Sequence, residues 1–263
     1  MAEQSVLYEV NAGVATIAFN RPDVLNALDF GMIEELQAAI AAVKANAGVR
    51  AVILTGRGKS FCAGGDIKGM LSEFAASAPT KRREAMRHIH RWLIDLITLD
   101  RPVLAAVKGY AVGAGMCLAM AADMIVAAEN AQFAQSFVGV GLSPDFAGSY
   151  LLPRLVGMNR AKELTFLGEA FDARAAERWG LVNRVVPEDQ VDETTVQLAQ
   201  RLAQGPTAAI GLAKGMLNRS FETDLYAFLE SEACYQSLCA ATDDFQEGIQ
   251  AFAAKRTPHF QGK

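Results

Sequence analysis

Residues 101 to 123 read RPVLAAVKGYAVGAGMCLAMAAD. Pro102 to Val107 is an apolar run of strand length, Gly109, Gly113 and Gly115 punctuate the residues after it, and Met116 to Ala122 has the composition of a buried helix. The stretch reads as a strand, a Gly-rich turn and a helix. A helix that starts in this way leaves its first backbone N–H groups unpaired at the positive end of its dipole. The turn at Gly113, Ala114 and Gly115 can therefore receive a carbonyl oxygen that becomes negative, which is oxyanion-hole geometry. Tight packing of a buried helix on a strand asks for the same small residues, so this stretch alone leaves both readings open.

A second stretch repeats the logic. Phe61 to Met70, FCAGGDIKGM, reads as a strand, a Gly-Gly turn and a polar segment able to begin a helix. Just before it, Ala51 to Thr55 is a strand, and Gly56 to Ser60 reads GRGKS. A phosphate loop would need a Gly five residues before Gly58, where Ile53 stands, so an ATP site is set aside.

Further out, Val6 to Val10 and Val14 to Phe19 flank Asn11-Ala12-Gly13 as a hairpin that Pro22 brings to a stop. Met32, Ile33, Leu36, Ile40 and Val43 recur at helical spacing behind Asp29, a natural N-cap. Thr80 to Leu99 is helical, with Met86, His90, Leu93 and Ile97 on one stripe, which turns His90 inward and His88 outward. Met124 to Ala128 and Ala131 to Phe133 are short strands, and Asp145 stands where it can cap a helix over Phe146 to Leu152. Lys162 to Gly168 and Ala173 to Trp179 read as helices, and Leu181 to Val186 as the last strand. Val191 to Ala203, Thr207 to Arg219, Leu225 to Ala241 and Asp243 to Ala254 are helical. Pro206 marks a break, so residues 1–204 read as an α/β core and 205–263 as an all-helical appendage.

Composition narrows the function classes. The 263 residues are 51% hydrophobic and 21% charged, as in an ordinary globular protein. A net charge of −4 disfavours nucleic acid as the main partner. Gly109 to Ala122 is uncharged and apolar, but its fourteen residues fall short of the roughly 20 needed for a bilayer. MAEQSVLYEV lacks a basic region followed by an apolar one, so a secretory signal is not expected and the cytoplasm is. Cys62, Cys117, Cys234 and Cys239 sit in apolar surroundings without metal-ligand spacing, and His88 and His90 are two apart, a poor chelate on a helix. Free buried thiols and no metal are expected.

FCAGGDIKGM, KGYAVGAGMCLAMAAD, GLSPDFAGSYLLPRLVG and FAAKRTPHFQGK stand in the order and at about the spacing of the crotonase family, the enoyl-CoA hydratases and isomerases, which the chain resembles. NRPDVLNAL near the N-terminus is similar to another of its signatures, and the resemblance covers essentially the whole chain. It implies a spiral of repeated ββα turns with a C-terminal helical domain that assembles trimers, often paired as hexamers. It also implies an acyl-CoA thioester substrate, with no cofactor beyond the coenzyme A of that substrate. Carried over by position, Gly65 and Ala114 would supply two N–H groups to the thioester oxygen. Ala63, Asp66, Ile67 and Lys68 would line the coenzyme A path, with Val24 and Leu25 bordering it and Lys255 reaching a phosphate. Met70, Leu71, Phe74, Cys117 and Phe137 would line the acyl pocket.

The chain departs from the pattern at its centre. The two glutamates that handle water in the hydratases correspond to Cys117 and Phe137, neither of which is a carboxylate. What remains is Asp145, in a GLSPD segment similar to the one whose Asp is the acid/base of isomerase members; an apolar pocket beside Phe137 would raise its pKa. The resemblance thus implies an enoyl-CoA isomerase first and a hydratase second. A third reading takes Asp145 as nucleophile and His90 as base, as in the aryl-CoA dehalogenases, although Phe137 replaces their orienting Trp. A non-catalytic acyl-CoA- or RNA-binding scaffold is the alternative from a different class.

Overall fold

The computed structural model describes residues 4–263; Met1 to Glu3, at the start of the segment considered for a secretory signal, lie outside the described residues. The hairpin is β1 (Val6–Asn11) and β2 (Val14–Phe19), antiparallel across Ala12-Gly13. Helix α1 (Phe30–Ala45) follows, and Asp29 caps it by accepting from Met32 N at 2.8 Å. Its apolar stripe, Met32, Ile33, Leu36, Ile40 and Val43, is buried as the spacing requires. Strand β3 (Ala51–Gly56) lies parallel to β2.

After β3 the chain crosses a π-turn (Ile67–Leu71), the short α2 (Ser72–Ala76) and the long α3 (Pro79–Ile97). Next come β4 (Val103–Val107), β5 (Tyr110–Val112) and α4 (Ala114–Met120), then β6 (Met124–Ala128) and β7 (Gln132–Ala134). Helices α5 (Gly148–Val156) and α6 (Met158–Leu167) lead to β8 (Ala170–Asp172), α7 (Ala173–Arg178) and β9 (Arg184–Val186).

The strands form two sheets. One runs β1-β2-β3-β4-β6-β9, parallel from β2 onward; the other runs β5-β7-β8. Single bridges from Leu28 to Gly65 and from Cys62 to Ala111 extend the second sheet toward the earlier turns. Each winding thus places one strand in the large sheet, one extended piece in the small sheet, and a helix outside. This is the ββα spiral that the resemblance implies. β4, VLAAV, is buried at every position, as expected of a central parallel strand covered on both faces.

Several boundaries move. The helix expected from Met116 begins two residues earlier at Ala114, and β5 occupies part of the expected turn. A three-residue strand between two glycines carries too little periodicity to declare itself. β8 is silent in the sequence for the same reason, and the last strand is confined to Arg184–Val186. On α3 the buried stripe is Ile89, Trp92, Leu93 and Leu96, so His90 is exposed and His88 half-buried, the reverse of the expectation. Trp92, fully buried, brings the largest apolar area on the helix and sets its rotation. Of the cysteines, Cys62 and Cys117 are buried, but Cys234 is exposed and Cys239 intermediate.

Helix α8 (Val191–Ala203) packs on β3, β4 and β6. Beyond it, α9 (Thr207–Arg219), α10 (Leu225–Ala240) and α11 (Asp243–Ala253) follow, as the sequence indicates. Arg50 binds this part to the sheet, donating to Gly205 O at 2.6 Å, Thr207 Oγ1 at 3.0 Å and Phe260 O at 3.2 Å. The buried Lys214 pairs with Asp123 at 2.8 Å as a second tie. Leu217, Phe221, Leu225, Tyr226 and Phe252 nevertheless stand exposed on or beside these helices. Among the described residues no helix is long and apolar enough to cross a membrane.

Candidate active site

Two turns of the spiral meet where the sequence repeats its Gly logic. Gly64 O accepts from Leu28 N at 2.7 Å and Asp66 N donates to Leu28 O at 2.8 Å, which spends the groups on either side of Gly65. In a parallel bridge of this kind the N–H of Gly65 itself faces away from Leu28. In the other turn, Gly113 N donates to Ala134 O at 2.8 Å, and Ala114 is the first residue of α4, whose N–H lies too early for an intrahelical partner. Among the described residues neither Gly65 N nor Ala114 N has a backbone acceptor. A Cβ built on Gly64 would lie 2.9 Å from Val112 O and 3.8 Å from Ala114 N, which places the two turns side by side.

The close approach has a steric cause. A Cβ on Gly115 would sit 2.2 Å from Cys62 O, so only glycine lets α4 start against the strand that carries the first turn. Cys62 N and O are fixed in that strand by Tyr110 O at 2.9 Å and Val112 N at 3.0 Å.

One turn into α4, Cys117 donates its N–H to Gly113 O and points its thiol at Gln135, whose Nε2 lies 3.5 Å from Sγ. Gln135 is fully buried, and so is the thiol; burial pushes the Cys117 pKa up to about 12, so it stays neutral. Phe137 is buried beside the Gly113 turn, its Cζ 3.9 Å from where a Cβ on Gly113 would stand.

Asp145 lies near Cys117, whose sulfur packs against Gly148 three residues on. It does not cap α5: that helix starts at Gly148, its N-cap residue is Ala147, and no side chain caps it. The carbonyl of Asp145 accepts from Gly148 N at 2.7 Å instead, so the side chain is not used as a cap. Asp145 is half-buried, and its Oδ1 is buried without a hydrogen-bond partner among the described residues. Burial raises its pKa to about 6, and the negative end of Asp145 in turn helps keep the Cys117 thiol protonated.

The backbone that aims Asp145 is strained. Phe146 and Ala147, two L-residues in succession, have φ of 44° and 58°, a conformation that costs about 1–2 kcal/mol per residue. Phe146 is held there by burial and by an edge contact with Trp92, ring centroids 5.9 Å apart. No sequence signal announces this turn, because glycine would be the expected residue at either position.

Asp145 opens on a cavity of about 320 Å³. Met70 and Phe74, expected in an acyl pocket, line it together with Phe30, Ile89 and Phe146. His90 lines it too, reaching in from an exposed position on α3. Cys117 and Phe137 do not line it: Phe137 lies against the Gly113 turn and Cys117 Sγ against Gly148, so the apolar lining around Asp145 comes from Phe146 and Ile89 rather than from Phe137. The side chain of Leu71 lies outside the described residues.

The residues expected along a coenzyme A path are brought together. Ala63 N donates to Leu25 O at 3.0 Å, and Val24, Leu25, Ile67 and Lys68 are exposed around that contact. Asp66 caps the π-turn, accepting from Lys68 N at 3.1 Å and Gly69 N at 3.0 Å; the Gly69 N–H and then the Arg21 guanidinium hold its carboxyl below the usual range. Lys255, exposed just after α11, has no hydrogen bond or ion pair to this turn among the described residues.

Two residues with no role expected from the sequence support this turn. Arg21 ties it to α1 through Asp29 at 3.1 Å and Asp66 at 3.4 Å. Asn26, fully buried, accepts from Arg21 N and donates to Arg57 O and Ser60 O. Within NRPDVLNAL, Arg21 and Asn26 are therefore scaffold for the turn, and they are the signal from which that support could be read.

Comparison with known proteins gives a consistent result. The profile of the enoyl-CoA hydratase/isomerase family matches residues 9–263. The chain is 37% identical to the 1,2-epoxyphenylacetyl-CoA isomerase of Escherichia coli, over 98% of both chains. It is also 37% identical to the crotonyl-CoA hydratase of Syntrophomonas wolfei over 100% of both. The crystal structure of an enoyl-CoA hydratase/isomerase from Cupriavidus metallidurans superimposes with a TM-score of 0.93 at 33% identity, covering 100% of this chain and 98% of that one.

Proposed function

The chain belongs to the enoyl-CoA hydratase/isomerase family and is an enzyme of it; from that premise we propose that it shifts a double bond within an enoyl-CoA, with Asp145 as the acid/base. The observation that carries this reading is a buried carboxylate oxygen with no partner, opening on an apolar cavity, in a chain that lacks both hydratase glutamates. Asp145 takes a proton from the carbon chain next to the conjugated system. The electrons move onto the thioester oxygen, giving an enolate that the N–H groups of Gly65 and Ala114 hold. Asp145 then returns the proton at the other end of the conjugated unit. Two backbone donors in a water-poor site stabilise such an oxyanion, each typically by a factor of about 10²–10³ in rate. Coenzyme A enters as part of the substrate, along Val24, Leu25, Ala63, Asp66, Ile67 and Lys68, and no further cofactor is invoked.

Hydration is less well served. The neutral thiol of Cys117 and the ring of Phe137 cannot take a proton from water. The dehalogenase-like reading is favoured by one observation, that His90 and Asp145 share the cavity. It lacks an indole donor at Phe137, and Asp145 Oδ1 has no donor at all among the described residues.

The exposed apolar side chains of α9 to α11 support assembly into a trimer or a pair of trimers, with the helices from residue 205 onward as the assembling domain. The Asp145→Asn variant tests the chemical reading: isomerase turnover should fall by about 10²–10⁴-fold with the fold intact. Retained isomerisation in a folded Asp145→Asn enzyme would overturn it.

A further inference from the structure

The wall of the Asp145 cavity that Met70 and Phe74 supply is carried by two pieces that cannot stand alone, a five-residue π-turn and the five-residue α2. A helix this short leaves most of its carbonyls unpaired at its C-terminal end. Those carbonyls are taken up. Glu73 O accepts from Ser77 Oγ at 2.9 Å and Phe74 O from Ser77 N at 3.2 Å, both within the same segment. The remaining bonds come from outside it: Arg82, on α3, donates from Nε to Phe74 O at 2.9 Å and from its terminal nitrogen to Ala75 O at 2.6 Å. The guanidinium also lies 5.9 Å from the centre of the Phe74 ring. Arg82 itself rides on a helix anchored in the core by Ile89, Trp92, Leu93 and Leu96. The planar fork thus joins an unsupported cavity wall to a rigid element, a geometry that a lysine cannot reproduce.

We propose that Arg82 is a specificity-determining residue, which fixes the depth of the acyl cavity by holding the segment that carries Met70 and Phe74. The inference rests on the reading that this cavity takes the acyl group. With the fork in place, Phe74 closes the cavity at a set distance from Asp145, and acyl groups longer than that distance are penalised. Without it, α2 loses its C-terminal bonds and the wall yields.

The test is calorimetric titration of saturated acyl-CoA thioesters, from acetyl to dodecanoyl, into the wild type, Arg82→Gln and Arg82→Lys. These ligands bind without reacting, so the readout does not depend on Asp145 chemistry. In the wild type, affinity should rise with chain length to a limit and then fall. In both variants acetyl-CoA should bind as in the wild type, while the ratio of dodecanoyl to hexanoyl affinity rises about 10-fold. A ratio unchanged in both variants, or an equal loss at every length including acetyl, would overturn the assignment of Arg82. A wild type that binds every thioester no better than acetyl-CoA would overturn the cavity reading itself, and the role of Arg82 with it.

Discussion

Gly148 and Cys117 exclude any larger residue at their contact: a Cβ on Gly148 would lie 2.7 Å from Cys117 Sγ. Gly148 N also holds the carbonyl of Asp145, so the contact sets the height of the turn that aims the carboxylate. Gly148→Ala should therefore cost about 1–3 kcal/mol of stability by overpacking and lower turnover as well. Cys117→Ala removes the obstructing sulfur, so the double variant should recover most of both losses. A thermal-unfolding double-mutant cycle measures the coupling, and strictly additive effects would show that the two residues do not control this turn.

Gly65 tests the first turn. Its N–H has no backbone acceptor among the described residues, and its φ is not positive, so proline there deletes a donor without breaking a ladder bond. Gly65→Pro should fold and lose about 10²–10³-fold in kcat. Circular dichroism with steady-state kinetics checks both, and a folded variant with normal kcat would remove Gly65 from the oxyanion site.

The raised pKa of Asp145 gives a pH signature. The base must be ionised, so kcat/KM should rise with pH and reach half its plateau near pH 6, where burial has placed the carboxyl. The sign for stability is opposite. Between the ordinary value of 3.8 and about 6 the folded chain keeps a proton that the unfolded chain has lost, so this group's contribution to stability falls as pH rises through that window. Asp145→Asn should abolish both dependences. His90 shares the cavity, so His90→Gln serves as the control: the half-point should stay where Asp145 sets it.

The helical end of the chain bears on assembly. With Phe221, Tyr226 and Phe252 more than 70% exposed in the single chain, light scattering at micromolar concentration should give three or six times the mass of one chain. A monomer mass would leave these surfaces unexplained.

Much of this architecture is legible in the sequence. Long helices such as α1, α8 and α11 carry enough periodic residues to mark them, and β2, β3 and β4 are apolar runs bounded by Gly or Pro. Three-residue strands such as β5 and β8 are held by tertiary pairing and leave no local pattern. The site divides in the same way. Gly65, Ala114 and Asp145 are accessible because their neighbours have unusual composition and a resemblance. The left-handed turn at Phe146 and Ala147 is not, and without it Asp145 looks like a helix cap. His90 is expected on the wrong side because Trp92, rather than the count of apolar positions, sets the rotation of α3.

In the proposed reaction a proton moves along carbon and no water is added. Wild-type enzyme incubated with a trans-3-enoyl-CoA in D₂O enriched in ¹⁸O, followed by mass spectrometry of the thioester, separates proton transfer from water addition. The conjugated trans-2 isomer should be the first product, carrying deuterium on carbon only to the extent that the Asp145 proton exchanges with solvent before its return, with no ¹⁸O in the acyl chain at early times and no such product from Asp145→Asn. A 3-hydroxyacyl-CoA labelled with ¹⁸O as the first product, formed equally well by Asp145→Asn, would contradict the proposed reaction.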